Sequence, residues 1–500
     1  MRRDNLTMLS DFYQLTMANG YFEHGYADKI VYFDLFFRKI PECGGFAIMA
    51  GLEQVIDYLK NLKFTDDDIE FLRAKKCFSE GFLEYLRNFK FACDVWAIPE
   101  GTPIFPMEPL ITVRGPALQA QYIETMLLLC INHQSLIATK ANRIVRAAAG
   151  RPVMEFGSRR AQGADGAIYG ARAAYIGGCI GTACTIVDRE EGIPALGTMA
   201  HSWVQLFDTE EEAFRRYAQT YPSDCTLLVD TYNVLESGIP NAIKIFNEVI
   251  VPLGFRPKGV RIDSGDIAYL SKKARAMLDE AGFPDCGIVA SNSLDEYIIS
   301  DLLRQGAEIN SFGVGERLIT AKSEPVFGGV YKLSAVEDEE GHIIPKIKIS
   351  ENVEKITNPG YKAAWRLFSK ETGKAIADVI TMADEEIDES KPYEIFHPEY
   401  TWKRKIVENF TAKKLQVPIF KAGECVYESP SVQKIQKYCQ EQIDTLWDEM
   451  LRFEHPHKYY IDLSAKLWIN KDSLLKKYAQ DISAKRMKHR EQKHDDCGCD

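Results

Sequence analysis

Short apolar runs that end abruptly in polar residues recur through the middle of the chain, between Pro152 and Leu333. Each run is four residues long and is followed by a stretch with helical periodicity. Apolar runs bounded by turn residues are typical of parallel strands that are buried on both faces. The runs are Val153 to Phe156, Ile193 to Leu196, Thr226 to Val229, Gly259 to Ile262, Gly287 to Ala290 and Ile309 to Phe312. We therefore predict an α/β fold whose central part is an irregular parallel (β/α) barrel.

The flanks on either side of this region carry different patterns. Before it, alternating and helical stretches predict a half-buried strand, several helices and short strands; after it, strand-like runs give way to a charged helical segment that begins at Val432. We expect the two flanks to form one α/β sandwich domain beside the barrel. The predicted limits are 1–150 for the N-terminal segment, 151–333 for the barrel, 334–484 for the C-terminal segment and 485–500 for a charged tail.

Charged and hydroxyl side chains gather where the central runs end, and a parallel barrel brings all such ends to one mouth. Helix capping accounts for Ser, Thr, Asp and Gly at these positions, because these residues satisfy free amides. Capping does not account for Arg261 or His201. An arginine beside a buried strand end needs an anionic partner. This predicts a reaction centre at the mouth.

Arg261 and Asp263 lie two residues apart on one predicted strand, so their side chains point the same way. One interpretation is an internal salt bridge. The other is that Arg261 binds a planar carboxylate, which its forked donors match, while Asp263 and Asp230 hold sugar hydroxyls or a magnesium ion.

His201 lies in a turn that runs from Gly197 to Ser202. A histidine there can act as an acid, as a base or as a nucleophile toward a phosphoryl group, and a hydrogen-bonded capping role is the alternative. Arg159 and Arg160, which follow the first run, would complete an electropositive rim for a substrate with several phosphates.

Two turns of small residues predict a phosphate site. Gly313 and Gly315 follow the last run, and glycines let backbone amides approach an anion closely. The turn that begins at Ser291 ends the preceding run and could face the same phosphate.

Composition narrows the class of protein. The formal charge of -11, with no large basic tract outside the tail, argues against nucleic-acid binding. No stretch of about 18 apolar residues predicts a membrane span, and no signal peptide is expected. The 12 cysteines are scattered, several inside apolar runs, which favours reduced thiols and the cytoplasm. Cys497 and Cys499, with His489 and His494 nearby, resemble a metal cluster, but we expect a solvated tail because metal sites need a formed loop.

Five motifs, in order along the chain, closely resemble nicotinate phosphoribosyltransferases, with a looser match over 358–364. They are DFYQ at 11–14, GTMAHS at 197–202, LVDTYN at 228–233, GVRIDSGD at 259–266 and FGGVYKL at 327–333. The resemblance implies a type II phosphoribosyltransferase fold and a homodimer with shared active sites. It implies that nicotinate and phosphoribosyl pyrophosphate form nicotinate mononucleotide and pyrophosphate in NAD biosynthesis, with ATP hydrolysis coupled to the transfer and Mg²⁺ as cofactor.

The same resemblance assigns roles to single residues. His201 matches a phosphorylated histidine, and Tyr13, Thr198 and Arg261 match positions that hold nicotinate, with Tyr13 stacking on the ring from the neighbouring subunit. Glu316 departs from the pattern, because the family carries threonine at this donor-contacting position. A carboxylate there repels a phosphate unless magnesium or an arginine lies between them.

Other functions stay open at this point. A nicotinamide or quinolinate phosphoribosyltransferase differs in the number of substrate carboxylates, which are none and two respectively. A barrel lyase or aldolase would use a Lys at a strand end for a Schiff base, and the six run ends carry none. A metabolite-binding regulator without catalysis is the remaining alternative. Turnover of labelled nicotinate with phosphoribosyl pyrophosphate distinguishes these alternatives from a nicotinate phosphoribosyltransferase.

Overall fold

The structure is a computed structural model, and it describes residues 5–352 and 355–495. The helices are α1 (Phe12–Glu23), α2 (Leu52–Lys60), α3 (Asp66–Ala74), α4 (Glu80–Arg87), α5 (Ala117–Tyr122), α6 (Glu124–Ala147), α7 (Gly163–Ile176), α8 (Thr185–Glu191), α9 (His201–Leu206), α10 (Glu210–Thr220), α11 (Ile239–Ile245), α12 (Ile267–Glu280), α13 (Glu296–Arg304), α14 (Glu316–Ile319), α15 (Val432–Ile443) and α16 (Ala465–Asp495).

The strands are β1 (Ile30–Phe37), β2 (Ala47–Ile48), β3 (Asp94–Ala97), β4 (Pro103–Ile104), β5 (Ile111–Pro116), β6 (Val153–Glu155), β7 (Gly181–Thr182), β8 (Thr226–Leu228), β9 (Gly259–Ile262), β10 (Gly287–Asn292), β11 (Ser311–Val314), β12 (Gly329–Glu337), β13 (Ile343–Pro345), β14 (Lys362–Ser369), β15 (Ala375–Met382), β16 (Tyr393–Phe396), β17 (Arg404–Val407), β18 (Phe410–Lys414), β19 (Val417–Lys421), β20 (Glu424–Cys425) and β21 (Ile461–Leu463).

The chain forms two compact units. The first comprises the described residues of 1–132, 327–429 and 442–500, and the second comprises 133–326 and 430–441. The first unit thus takes residues from both flanks of the sequence. The finer limits at residues 150, 333 and 484 stay predictions.

The first unit is built mainly on antiparallel strand pairs, and β15 and β21 pair in parallel. Its largest sheet has the strand order β13-β12-β1-β5-β3-β19-β20, and a second sheet has the order β18-β14-β15-β21. Trp365, Leu367 and Val379 are buried between this second sheet and the hairpin β16–β17, together with Ile395 and Val407. These runs carry β-branched and aromatic residues, which suit a pleated, half-buried surface.

The second unit is built on a parallel sheet with the order β7-β6-β11-β10-β9-β8. Its apolar runs are buried: Leu227, Val260, Ile262 and Ile288 have no exposed side chain and pack in one core with residues of α10, α11 and α12. The α/β class is confirmed. The hydrogen-bonded order runs from β7 to β8, and closure into a barrel stays a prediction.

Five of the six predicted runs lie in strands of this sheet, and one does not. Ile193 to Leu196 makes only a single parallel bridge, between Ala195 and Thr182. Pro194 lacks the N–H group that a longer ladder needs. The pattern also missed β7, which has only two residues and begins with Gly181. The prediction of a full strand over 193–196 is therefore wrong.

Candidate active site

The carboxyl ends of β9, β10, β11 and β6 lie side by side. Val289 pairs with Arg261 and with Ser311, and Ser291 pairs with Gly313. Because these strands are parallel and adjacent, their terminal turns meet along one edge of the sheet. The predicted residues Arg261, Ser291, Gly313 and Gly315 are therefore neighbours.

Arg261 is the most constrained side chain at this edge. Its side chain is 14% exposed. Nε donates to the Ser291 hydroxyl at 2.9 Å, Nη1 donates to the Thr198 hydroxyl at 3.1 Å and to the Met199 carbonyl at 3.4 Å, and Nη2 donates to Asp263 at 3.2 Å. The salt bridge to Asp263, one of the two interpretations of the sequence, is present, and Thr198 and Ser291 also hold the guanidinium.

Two carboxylates lie next to this cation. Asp263 accepts from Arg261 and from the Ser291 hydroxyl, while one oxygen of Asp230 accepts from the Asp263 amide at 3.0 Å and from the Ser264 hydroxyl at 2.6 Å. The other oxygen, Oδ1 of Asp230, is buried and has no hydrogen-bond partner in the described residues. Asp230 thus keeps one free acceptor beside the Arg261–Asp263 pair.

His201 begins α9 and faces both carboxylate-bearing turns. Its Nδ1 lies 3.1 Å from the Thr231 hydroxyl, and its Nε2 lies 3.7 Å from Asp263. The side chain is 40% exposed, so a ligand can reach it. The structure therefore groups His201 with Asp230, Asp263, Arg261 and Thr198.

The glycine turn after β11 is packed against an aromatic ring. A Cβ on Gly313 would lie 2.5 Å from a ring carbon of Phe156, and a Cβ on Gly315 would lie 3.2 Å from the Phe156 carbonyl oxygen. The Arg261 guanidinium lies 5.8 Å from the same ring. Glycine is needed here because the strand end and Phe156 approach so closely. Phe156 is thus an aromatic wall between the cation and the glycine turn.

Arg159 and Arg160 follow β6 in a short 3₁₀ turn, and both are exposed. Arg160 lies 3.7 Å from Glu316, and Lys322 donates to the same carboxylate at 3.0 Å. Lys322 and then Arg160 hold the pKa of Glu316 below its ordinary value. The carboxylate of Glu316 therefore has an arginine and a lysine as neighbours.

A buried carboxyl supports the turn that carries Arg159. Glu155 is fully buried, accepts from the Thr182 hydroxyl at 2.6 Å and accepts from the Gly157 amide. Burial raises the pKa of Glu155 above its ordinary value. These bonds tie the end of β6 to β7 and fix the direction in which the turn leaves the sheet.

Tyr13 belongs to the first unit and lies on α1. Its side chain is 47% exposed, and its hydroxyl donates to Glu124 at 3.1 Å. Partial burial and the Glu124 carboxylate raise the pKa of Tyr13 to about 12. Glu124 also lies 3.8 Å from Lys332, whose pKa burial lowers. The tyrosine therefore stays a neutral phenol with a fixed hydroxyl and an accessible ring.

The described part of the chain shows neither a ready-made metal cluster nor a membrane-spanning helix. No group of three or more His, Cys, Asp or Glu side chains there is arranged to hold a metal ion. None of its helices has the length and apolar character that crossing a bilayer requires. Cys497 and Cys499 lie outside the described residues.

Comparison with known proteins identifies the family. Models of the nicotinate phosphoribosyltransferase (NAPRTase) N-terminal domain, family domain and C-terminal domain match residues 8–132, 152–341 and 361–471. The nicotinate phosphoribosyltransferase of Bacillus subtilis is 45% identical over 468 residues, which cover 94% of this chain and 95% of that protein. The chain belongs to the nicotinate phosphoribosyltransferase family.

Further relatives agree. The nicotinate phosphoribosyltransferase of Dictyostelium discoideum is 34% identical and covers 96% of this chain and 90% of its own length. The crystal structure of human nicotinic acid phosphoribosyltransferase superposes with a TM-score of 0.83 at 30% identity, covering 93% of this chain and 99% of that chain. The α/β fold of this chain is thus that of a solved member of the family.

Sequence reasoning missed three side chains of this site. From the sequence, Phe156 is placed only at the end of an apolar run and Thr231 only in the polar end of a later one, and Lys322 has no predicted role. Only pairing across strands places Phe156 against Gly313, and only the fold places Thr231 beside His201. The register between β6 and β11 could have located Phe156. Gly313 pairs with Met154, and Phe156 follows Met154 by two residues, so its side chain points to the same face of the sheet.

Proposed function

We propose that the protein is an ATP-coupled nicotinate phosphoribosyltransferase that acts in NAD biosynthesis in the cytoplasm. The reaction joins the pyridine nitrogen of nicotinate to the anomeric carbon of phosphoribosyl pyrophosphate as pyrophosphate leaves. The observation that carries this proposal is the environment of Arg261, a half-buried cation at the rim between a histidine, two carboxylates and a glycine turn.

The nicotinate carboxylate binds Arg261 in this proposal. The guanidinium has five N–H groups, and the four hydrogen bonds to Ser291, Thr198, Met199 and Asp263 leave one on Nη2. The bond to the Met199 carbonyl is the longest, at 3.4 Å, and is the one that a carboxylate displaces most easily. The free hydrogen of Nη2 and the released hydrogen of Nη1 then form a bidentate contact.

The ring and the sugar bind on either side of this contact. Phe156 offers an apolar wall for the pyridine ring beside Arg261. Asp263 and Asp230 accept hydrogen bonds from ribose hydroxyls and stabilise the positive charge that develops on the sugar as pyrophosphate leaves. The transfer needs no protein nucleophile, so positioning and electrostatics lower the barrier.

The phosphates of the donor bind at the turns after β6, β10 and β11. The amides from Gly313 to Gly315 and the exposed Arg159 supply the donors. The Ser291 hydroxyl donates to Asp263, so it joins them when a phosphate oxygen replaces that acceptor. Magnesium fits the neighbouring carboxylates, because Mg²⁺ typically uses one or two carboxylates together with substrate phosphates, and Oδ1 of Asp230 is buried without a partner in the described residues. When bound it would neutralise phosphate charge, with Asp230 and Asp263 as the residues that hold it.

His201 is the proposed phosphoryl acceptor in ATP hydrolysis. With the ring proton on Nδ1, the histidine donates to Thr231, and the Nε2 lone pair is free to attack the γ-phosphorus. The Nε2–P bond forms as the bond to the ADP oxygen breaks, and water later cleaves the phosphohistidine to phosphate. The added charge next to Asp263 changes the balance between conformations, which couples hydrolysis to substrate binding.

We also propose a homodimer whose active sites are shared, with Tyr13 stacking on the nicotinate of the partner subunit. Its exposed ring, flanked by the exposed Phe12 and Met17, supports this role.

Steady-state turnover of radiolabelled nicotinate with phosphoribosyl pyrophosphate, with and without ATP, tests the proposed function. We expect nicotinate mononucleotide in both cases and faster formation with ATP. Equal or better turnover of nicotinamide or quinolinate would contradict the assignment of nicotinate as the substrate. No turnover of any of the three compounds would favour a binding protein without catalytic activity.

A further inference from the structure

Two neighbouring turns at the phosphate rim are joined by one carboxylate. Residues 153–155 of β6 pair with residues 312–314 of β11, and the Phe156 amide donates to the Val314 carbonyl at 2.7 Å. The two strands therefore leave the sheet side by side. Glu316 begins α14 directly after Gly315, and its carboxylate reaches Arg160 on the other turn.

The two arginines of the β6 turn have different partners. Arg159 is exposed and has no ion pair in the described part of the chain, whereas Arg160 lies 3.7 Å from Glu316. Lys322 lies on the opposite side of the same carboxylate, at 3.0 Å. Glu316 thus neutralises two cations, one on the turn after β6 and one that follows α14.

These ion pairs are partly exposed, so another anion can replace Glu316 as the partner of Arg160 and Lys322 with little loss of stability. The side chains of Arg160, Lys322 and Glu316 are 51%, 59% and 29% exposed. Exposed pairs contribute little to stability, because water competes for both partners. The cations on either side keep the pKa of Glu316 low, so the carboxylate stays ionised at neutral pH.

We propose that Glu316 is an internal anion that competes with the pyrophosphate group for Arg160 and Lys322, and so sets how tightly the donor and the pyrophosphate product bind. A polyphosphate outcompetes a single carboxylate, because it brings more charge and more acceptor oxygens. When the donor binds, its pyrophosphate group replaces Glu316 as the partner of these cations. The displaced carboxylate stays nearby and repels the pyrophosphate, which weakens the binding of both the donor and the pyrophosphate product. Weaker retention of pyrophosphate speeds its release. The inference rests on the proposed function for the identity of the donor.

Removal of the charge at Glu316 tests this inference. In Glu316→Gln, inorganic pyrophosphate should bind about three- to tenfold more tightly, since the like charge that competes for Arg160 and Lys322 is lost. The KM for phosphoribosyl pyrophosphate and the inhibition constant of pyrophosphate should fall by similar factors, while the KM for nicotinate stays unchanged. The difference should shrink at high salt, because screening weakens interactions between exposed charges.

Two further variants separate position from charge. Asp301→Asn removes an equal charge from an exposed pair with Arg304 on α13, and pyrophosphate binding should stay at the wild-type value. Glu316→Asp keeps the charge and should also stay close to wild type. Unchanged or weaker pyrophosphate binding in Glu316→Gln overturns the inference, as does equal tightening in Asp301→Asn.

Titration calorimetry of inorganic pyrophosphate with the full-length protein needs no turnover. A wild-type protein that binds pyrophosphate but does not convert nicotinate would contradict the proposed function and leave the test of Glu316 intact.

Discussion

Arg261 decides substrate choice in the proposed reaction, because it is the cation held at the rim by neutral hydroxyls and one carboxylate. Arg261→Lys keeps the charge but loses the fork and three of the bonds that position it. The KM for nicotinate should rise about ten- to a hundredfold, and the preference for nicotinate over nicotinamide should shrink. The KM for the donor should change little. Steady-state kinetics with both pyridines measures this, and equal weakening of nicotinate and donor would favour a purely structural salt bridge with Asp263.

His201 carries a separate part of the proposal, the coupling to ATP. In His201→Ala, nicotinate-stimulated ATP hydrolysis and acid-labile labelling from γ-labelled ATP should both disappear. Slow synthesis without ATP should remain, because Arg261 and the glycine turn are unchanged. The ratio of phosphate released to mononucleotide formed is the quantity to measure. If the variant still hydrolyses ATP in step with product, the phosphoryl acceptor is another group.

At the scale of elements, a fully buried ion pair joins β14 to β15 in the first unit. Arg366 donates to both oxygens of Asp378, at 2.8 and 2.7 Å, and to the Pro103 carbonyl at 2.8 Å, and both side chains are 0% exposed. Asp378→Asn removes the carboxylate that accepts two hydrogen bonds from Arg366, and breaking a buried ion pair costs about 3–5 kcal/mol. The urea midpoint, followed by tryptophan fluorescence because Trp365 lies on β14, should fall clearly. Asp388→Asn, which alters an exposed pair with Lys391, should not shift it.

The sequence pattern predicted some strands of the parallel sheet correctly and one wrongly. Gly259 to Ile262 is a strand with the predicted bounds, because a buried apolar run between turn residues has few other conformations available. Ile193 to Leu196 is also a short run bounded by polar and turn residues, but it contains a proline, and only one bridge forms. The residue types of the site were predictable from charged residues at strand ends. Contacts such as those of Thr231 with His201 were not, since they depend on which strands become neighbours.

At the scale of the whole molecule, the proposed site residues are divided between two compact units. Tyr13 lies on α1 of the first unit, while Arg261 and His201 lie in the second. Within the first unit, the Tyr13 hydroxyl is held by Glu124, which also lies near Lys332, so the ring is oriented but exposed. The proposed sharing between subunits requires an exposed, oriented aromatic ring, and Tyr13 provides one far in sequence from the parallel sheet. A dimer with two equivalent sites would then take each ring from the opposite protomer.

Mixed dimers test this arrangement. Tyr13→Ala protomers and Arg261→Ala protomers should each be nearly inactive alone, and a purified heterodimer should recover about half of the wild-type activity, because one of its two sites regains both side chains. Tyr13→Phe is the matched control: it keeps the ring, loses the bond to Glu124 and should retain most of the activity. Differently tagged protomers allow the heterodimer to be isolated and its turnover of nicotinate to be measured per dimer. If verified heterodimers show no recovery, the Tyr13 ring does not cross to the partner's site, since each defect would then stay within its own subunit.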